Sequence, residues 1–380
     1  MAHSVTRRHL LRQFAVLGTY ALMPEIAEAK KKHDSEEDIF AKPRLLEVKL
    51  SISPAGEDSL RKQPREWVQA AATVDGNEIS GVKAHLKGQT SFVPLDKKPS
   101  FTLTFNGTGR GARILGLRKF HLNNSVQDSS YLCERLSSEL FDRAGVPCPR
   151  AAWAKVSLNG RKLGLYVLKE SFTTDFLRRH FQRIDGNFYD GGLHHDIWEP
   201  LKLDSGDGPK DDSDLKALFA ATQIAEPGAR WGRLQALVDM KRFVSMMAME
   251  SLTCHIDGYS LMQNNYRIYF EPPSGRAVFV ALGMDRMFET PQMPVEPEMR
   301  GVVSKAILGV ADGRRMYRQR MRELAGKVFV AEWMDCRIDE GIALLKPAEP
   351  LVEPQANALR QRIMTRVALV KKWMSENPAT

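Results

Sequence analysis

Apolar and polar residues alternate from Arg44 to Ser53, with Leu46, Val48, Leu50 and Ile52 on one side, which predicts a half-buried strand. Trp67–Val74 reads the same way, and Glu78–Leu86 returns after the turn signal Asp75-Gly76-Asn77. Ser100–Phe105 and Phe120–Leu122 are two further strands. The period then changes. Leu132, Leu136, Leu140 and Phe141 lie at helical spacing over Ser129–Ala144. Asp128 or Ser129 can cap that helix, and Gly145 with Pro147 stops it. Ala154–Leu158 and Leu163–Leu168 flank Asn159-Gly160, the preferred pair for a tight hairpin. A short helix over Thr173–Phe181 follows.

Residues 184–230 are rich in Gly, Asp and Pro and weakly periodic, which predicts a long excursion with one short helix near Asp214–Thr222. Met240–Thr253 is an apolar helix. Residues 264–270 and 277–282 form a small hairpin around a Pro-Pro-Ser-Gly turn, closed by Gly283-Met284-Asp285. The remainder is helical: Val303–Leu308, Arg314–Val328, Met334–Leu345 and Leu359–Met374. This order predicts an α+β chain with a strand-rich N-terminal lobe, 44–170, and a mainly helical C-terminal lobe, 171–380, carrying a hairpin region at 255–285. No internal repeat of fixed period is visible.

Composition narrows the classes. With 43% apolar and 27% charged residues, the 380-residue chain is not wholly disordered, collagen-like or a coiled coil. No apolar run reaches the roughly 18 residues of a membrane-spanning helix. Four cysteines, none paired as C-x-x-C, exclude a disulfide scaffold and a zinc ribbon and leave their pairing open. The net charge is +9. Apart from Lys30-Lys31-Lys32 the charges are interspersed, and there is no aromatic RNA-binding signature, so no nucleic-acid partner is expected. Residues 1–29 join Arg7-Arg8, a short apolar stretch from Phe14 to Met23, and Ala27-Glu28-Ala29. This is the pattern of a twin-arginine-type signal peptide, and it predicts export to the periplasm or cell envelope. Residues 30–43 read as a linker.

The chemistry concentrates at His255-x-Asp257, Asn264-Asn265 and Asp285. Two carboxylates and an amide converging on one hairpin suit magnesium, which prefers hard oxygens and keeps positions open for phosphate. Phosphoryl transfer needs such an ion, a base for the acceptor hydroxyl and a lysine on the phosphates. Protein kinases arrange these as H-R-D…N and D-F-G. Here the amide stands 7 or 8 residues after Asp257, and Asp285 stands 28 after it. The competing reading is that Asp and Asn in loops are caps and turns. Gly107-x-Gly109-x-Gly111 reads as a flexible turn. The acidic run from Asp204 to Asp214 lacks calcium-loop spacing, and His194-His195-Asp196 lacks the ligands of a catalytic zinc.

Six segments in fixed order carry a resemblance: Leu86–Phe92, Lys97–Phe101, Leu122–Ser130, Leu158–Gly160 with Gly164–Glu170, Asp257 with Asn264–Tyr269, and Gly283–Asp285. Together they make the chain similar to the CotH kinase-like family, named for a spore-coat protein kinase, over about Val82–Glu289. The resemblance implies an atypical protein-kinase-like two-lobe fold using ATP and magnesium. It implies Asp257 as the catalytic aspartate, Asp285 and Asn264 or Asn265 as metal ligands, and Gly88, Gln89 and Ser91 as the loop over the phosphates. Lys98, or Lys97, would hold the phosphates, with Glu134, or Glu139, as its ion-pair partner. Glu170 would mark the hinge between lobes. Many relatives carry Asp-x-Asp where this chain has Gly283-Met284-Asp285, and an arginine near Cys133.

The expected activity is transfer of a γ-phosphoryl group to a serine or threonine of a protein, or to another hydroxyl. The competing expectation is an exported pseudokinase that serves as a binding module. A weaker third is an exported hydrolase using the same metal.

Overall fold

Seven strands close into a barrel: β1 (Leu45–Ile52), β2 (Val68–Val74), β3 (Asn77–Lys87), β4 (Ser100–Phe105), β5 (Lys119–Asn123), β6 (Ala151–Leu158) and β7 (Arg161–Glu170). The order around the wall is β1-β2-β3-β4-β5-β7-β6. All neighbours are antiparallel except β1 and β6, whose parallel pairing from Leu45↔Trp153 to Leu50↔Leu158 closes the wall. The computed structural model describes residues 39–105, 116–272 and 274–378. Residues 1–29, residues 30–38 of the expected linker and Gly107-x-Gly109-x-Gly111 lie outside the described residues.

Alternation explains the barrel. Leu46, Val48, Leu50 and Ile52 point inward, as do Val82, Ala84 and Leu86 on β3 and Phe101, Leu103 and Phe105 on β4, and all are buried. Asn159 and Gly160 hold φ of 48° and 80°, as the turn between β6 and β7 demands. Closure itself is not legible in a period-two pattern. The expected linker ends early: Ile39 and Phe40 are buried, and Arg135 donates to the Phe40 carbonyl at 3.2 Å.

Helix α1 (Pro54–Lys62) has only Leu60 buried, too little for an apolar stripe to announce it. Its start is nonetheless written locally, in Pro54 at the first turn and the Ser53 hydroxyl accepting from Gly56 N. Helix α2 (Cys133–Arg143) packs against the outside of the barrel, where Trp153, Leu165 and Val167 join its core.

The second half is mainly helical, as expected, around a four-stranded sheet. Helix α3 (Thr174–His180) leads to β8 (Phe188–Asp190) and β9 (Lys202–Ser205), then α4 (Ser213–Thr222), α5 (Pro227–Leu237) and α6 (Met240–Leu252). The expected excursion over 184–230 therefore holds two strands and the start of a second helix. The strands are three and four residues long, below what alternation can reveal. After α7 (Tyr259–Met262) come β10 (Tyr266–Glu271) and β11 (Arg276–Ala281), completing a sheet of order β11-β10-β8-β9. Four helices end the chain: α8 (Val302–Leu308), α9 (Ala311–Lys327), α10 (Ala331–Leu345) and α11 (Val352–Glu376). Among the described residues no helix is long and apolar enough to cross a membrane.

Candidate functional site

Inward residues of β3, β4, β5 and β7 are apolar, so their outward neighbours are free to carry polar chemistry. Register aligns them across the wall. His85 lies opposite Thr102, Thr102 opposite His121, and His121 opposite Lys169. Lys87 and Asn123 stand one step further along the same face. Glu134, in the first turn of α2, meets this face and pairs with Lys169 at 2.6 Å. Burial opposes a charged Lys169, but Glu134 and then Asp285 outweigh it and hold the ammonium above its usual range. The second oxygen of Glu134 is buried with no donor among the described residues.

Lys87 is the other cation here. Among the described residues it has no hydrogen-bond or ion-pair partner. Burial, and then the neighbouring Lys169, lower it to about 8, while Asp285 and Glu134 pull the other way. Gly88 follows with φ 108°, and a Cβ there would lie 2.9 Å from Phe92 N, so the turn into Gln89–Ser91 needs glycine. Phe92 N donates to the Gln89 carbonyl across that turn, and Arg65 donates to the carbonyls of Leu86 and Gly88.

The opposing wall is the segment from α6 to β11. Asp257 lies in the loop after α6. Its carboxylate accepts from the side-chain amides of Asn264 and Asn265, each at 2.9 Å, and Asn265 also donates to the Asp257 carbonyl at 2.9 Å. Both amide nitrogens are thus spent on Asp257, which leaves their oxygens as acceptors. Asp285, in the turn after β11, accepts from Asn123 of the barrel at 3.4 Å. Gly283 adopts φ 66°, and a Cβ there would stand 2.3 Å from the Asn265 amide oxygen. The Asn265 side chain fills the space that a Gly283 side chain would need.

Carboxylate and amide oxygens such as those of Asp257, Asp285, Asn264 and Asn265 are hard donors of the kind magnesium takes. Among the described residues no group of three or more His, Cys, Asp and Glu converges as a metal cage.

Several expected site residues stand elsewhere. Lys98 does not pair with Glu134. Its ammonium donates to the Tyr131 hydroxyl at 2.6 Å and lies over the rings of Tyr131 and Tyr166. Lys97 is exposed. The partner of Glu134 is Lys169, one residue before the expected hinge. Glu139 pairs with Arg135 and Arg337. Glu170 is buried, and its two oxygens are engaged by Arg150 and Arg179. Burial favours protonation there, but Arg179 and Arg150 outweigh it and lower the carboxyl. Lys169 and Lys87 are the residues that sequence reading misses. The available signal was the alternation itself, which puts a lysine on the outward side of β3 and of β7, two strands of one wall.

His255 is buried beside Asp257. Its Nε2 donates to the Leu282 carbonyl at 3.1 Å, and its Nδ1 has no partner among the described residues. Burial lowers it to about 4, with Asp257 pulling the other way. The unfolded chain therefore takes up this proton first, so its contribution is present above about pH 6.5 and lost as pH falls toward 4. Glu250 has the opposite sign, since burial raises it to about 7. A comparison with His255→Gln isolates the histidine. The stability gap between the two proteins should close by up to about 3 kcal/mol between pH 7 and pH 4, read from urea midpoints. A pH-independent gap would refute the assignment.

Comparison with known proteins adds the following. Residues 84–379 match the family described as CotH kinase protein. The inner spore coat protein H of Bacillus subtilis (strain 168) is 23% identical over 276 residues, covering 67% of this chain and 74% of that protein. The inner spore coat protein H-like protein of the same organism is 23% identical over 228 residues, covering 60% and 68%. A solved structure, the Helicobacter pylori proinflammatory kinase CtkA, aligns over 72% of this chain and 94% of its own, with a TM-score of 0.35 and 10% identity.

Proposed function

The chain belongs to the CotH kinase protein family, and from that premise we propose that it is a magnesium- and ATP-dependent phosphotransferase of atypical two-lobe kinase architecture, exported to the cell envelope and acting on a protein hydroxyl. The observation that carries the reading is the Lys169–Glu134 pair of the barrel wall and α2, joined through Asp285 and Asn123 to the turn after β11. A lysine tied to a helix glutamate beside a metal-type aspartate is the arrangement phosphoryl transfer requires.

In this reading the ion, held by Asp285 and an asparagine oxygen, would neutralise charge on the transferring phosphoryl group. Lys169 stays protonated because Glu134 faces it. Lys87, at the strand end and unpartnered among the described residues, offers its ammonium to phosphate oxygens, and Gly88 lets the chain turn close to them. Asp257 is held by two amide donors, one on each carboxylate oxygen. Each oxygen keeps a lone pair with which to accept a hydrogen bond from the acceptor hydroxyl and then its proton.

Gly283, which brings no second carboxylate beside Asp285, favours a second reading, an exported pseudokinase serving as an envelope or surface binding module without catalysis. One measurement tests the nucleotide site on which the first reading depends. Magnesium-ATP at 100 times its dissociation constant should stabilise the protein by about 2.7 kcal/mol, and Asp285→Ala should lose that gain. A melting temperature unmoved by ATP, with or without magnesium, would refute the nucleotide site. A shift without phosphoryl transfer would leave the binding module standing.

A further inference from the structure

Glu250 belongs to α6 and is fully buried, yet it makes none of the contacts assigned above to phosphate, metal or acceptor. Its own carbonyl accepts from His255 N at 2.8 Å. Its carboxylate accepts from Tyr259 N at 3.0 Å and from Ser260 N at 2.9 Å. These three bonds bracket Asp257 on both sides.

The loop between them is short of alternatives. Helix α7 has four residues, and Gly258 at its start supplies no side-chain cap. Its first N–H groups would otherwise be buried without acceptors, a cost that a remote carboxylate removes. Gly258 is also forced. A Cβ there would lie 2.6 Å from a Glu250 carboxylate oxygen and 2.9 Å from the His255 ring. The carboxylate therefore occupies the space against which the Asp257 loop is folded. Burying an ionisable group for capping alone is expensive. A forked acceptor that reaches two successive N–H groups from a neighbouring helix is something few other side chains can supply.

We propose that Glu250 is a positioning residue: its carboxylate, by holding Tyr259 and Ser260 at the far end of the loop, sets the orientation in which Asp257 meets the acceptor hydroxyl. The kinetic part of this rests on the phosphotransferase reading, while the fixing of the loop does not.

The test uses the full chain with Glu250→Gln, Gly258→Ala and the double variant. Two quantities are read: self-phosphorylation from magnesium-ATP, and backbone amide exchange over residues 255–260. Glu250→Gln keeps the shape but turns an NH₂ group toward a backbone N–H. It should lower the maximal rate about a hundredfold, the cost of an ångström-scale misplacement, with little change in KM for ATP. Exchange at 255–260 should quicken while that of Phe243–Met249 stays as in the parent. Gly258→Ala should do the same by displacing the carboxylate, and the double variant should be no worse than the poorer single one. If Glu250→Gln does not fold, Gly258→Ala carries the test. An unchanged maximal rate, or a fall no larger than the loss of folded protein, would overturn the proposal. If the parent transfers no phosphate, the phosphotransferase reading fails by itself. The exchange result then decides whether Glu250 fixes the loop, and unaltered exchange overturns that too.

Discussion

Asp257→Asn is expected to lower the rate of phosphotransfer by about 10³-fold while leaving the protein folded. The argument lies in what the carboxylate accepts. Asn264 and Asn265 each point an amide nitrogen at it, so its two oxygens are held in place by groups that can only donate. The free lone pairs are what an acceptor hydroxyl would meet. An asparagine keeps the shape but exchanges one acceptor for an NH₂ group, which faces another amide nitrogen and cannot take a proton. The lost hydrogen bond should cost about 1–3 kcal/mol of stability, a few degrees in a domain of this size. Phosphotransfer at saturating magnesium-ATP, beside a melting curve, checks both parts. A variant that keeps a tenth or more of the parent rate would remove Asp257 from the chemistry.

Arg366→Met should be among the most destabilising single changes in the chain, by about 3–5 kcal/mol. Arg366 is fully buried in α11. Its guanidinium donates to the carbonyls of Ser251 at 2.5 Å and Leu252 at 3.3 Å, the last turn of α6, and to those of Met293, Pro291 and Pro294. Helix-end carbonyls lack partners within the helix and carry partial negative charge, so a buried cation is stabilised there by carbonyl groups alone. Methionine fills the volume but withdraws the guanidinium donors from these carbonyls, of which that of Ser251 still accepts from Cys254 N. The melting temperature should fall by about 5 °C or more. Arg366→Lys should recover only part of it, because an ammonium lacks the planar five-donor fork. Loss of less than about 1 kcal/mol in urea unfolding would mean that water replaces the guanidinium.

Much of the fold can be read from residue spacing. Strands with one buried face, such as Leu45–Ile52, and helices with a broad apolar stripe, such as α6, announce themselves because burial imposes the period. The Asn159-Gly160 turn is legible because two successive positive φ angles demand those residues. The strands β8 and β9 are not, since three or four residues cannot display alternation. Barrel closure is not legible either, because the parallel partner of β1 lies about a hundred residues away.

The site divides the same way. Asp257, Asn264, Asn265 and Asp285 lie close in sequence and share the small hairpin region, so their pattern points to one cluster, and the structure links them through Asn265. The lysine of the Glu134 ion pair needs tertiary information. Lys98 and Lys169 both sit beside strands rich in apolar residues, and only the side of the barrel on which each emerges decides between a pair of tyrosines and a glutamate.

The parallel seam of the barrel has a consequence for how the chain folds. Strand β1 leaves the ribosome first among the seven, yet one of its two neighbours is completed only at Leu158. Until β7 is made as well, the wall is an open sheet with bare edges, the form in which strands most readily pair with other chains. Sealing it joins distant segments and carries the entropic cost of a long loop, a slow step by contact-order reasoning. A chain shortened past Ile52 would have no means of sealing at all. The first strand is thus the earliest made yet waits about a hundred residues for its second partner, and what protects it in the interval is whatever keeps a newly made chain from its neighbours.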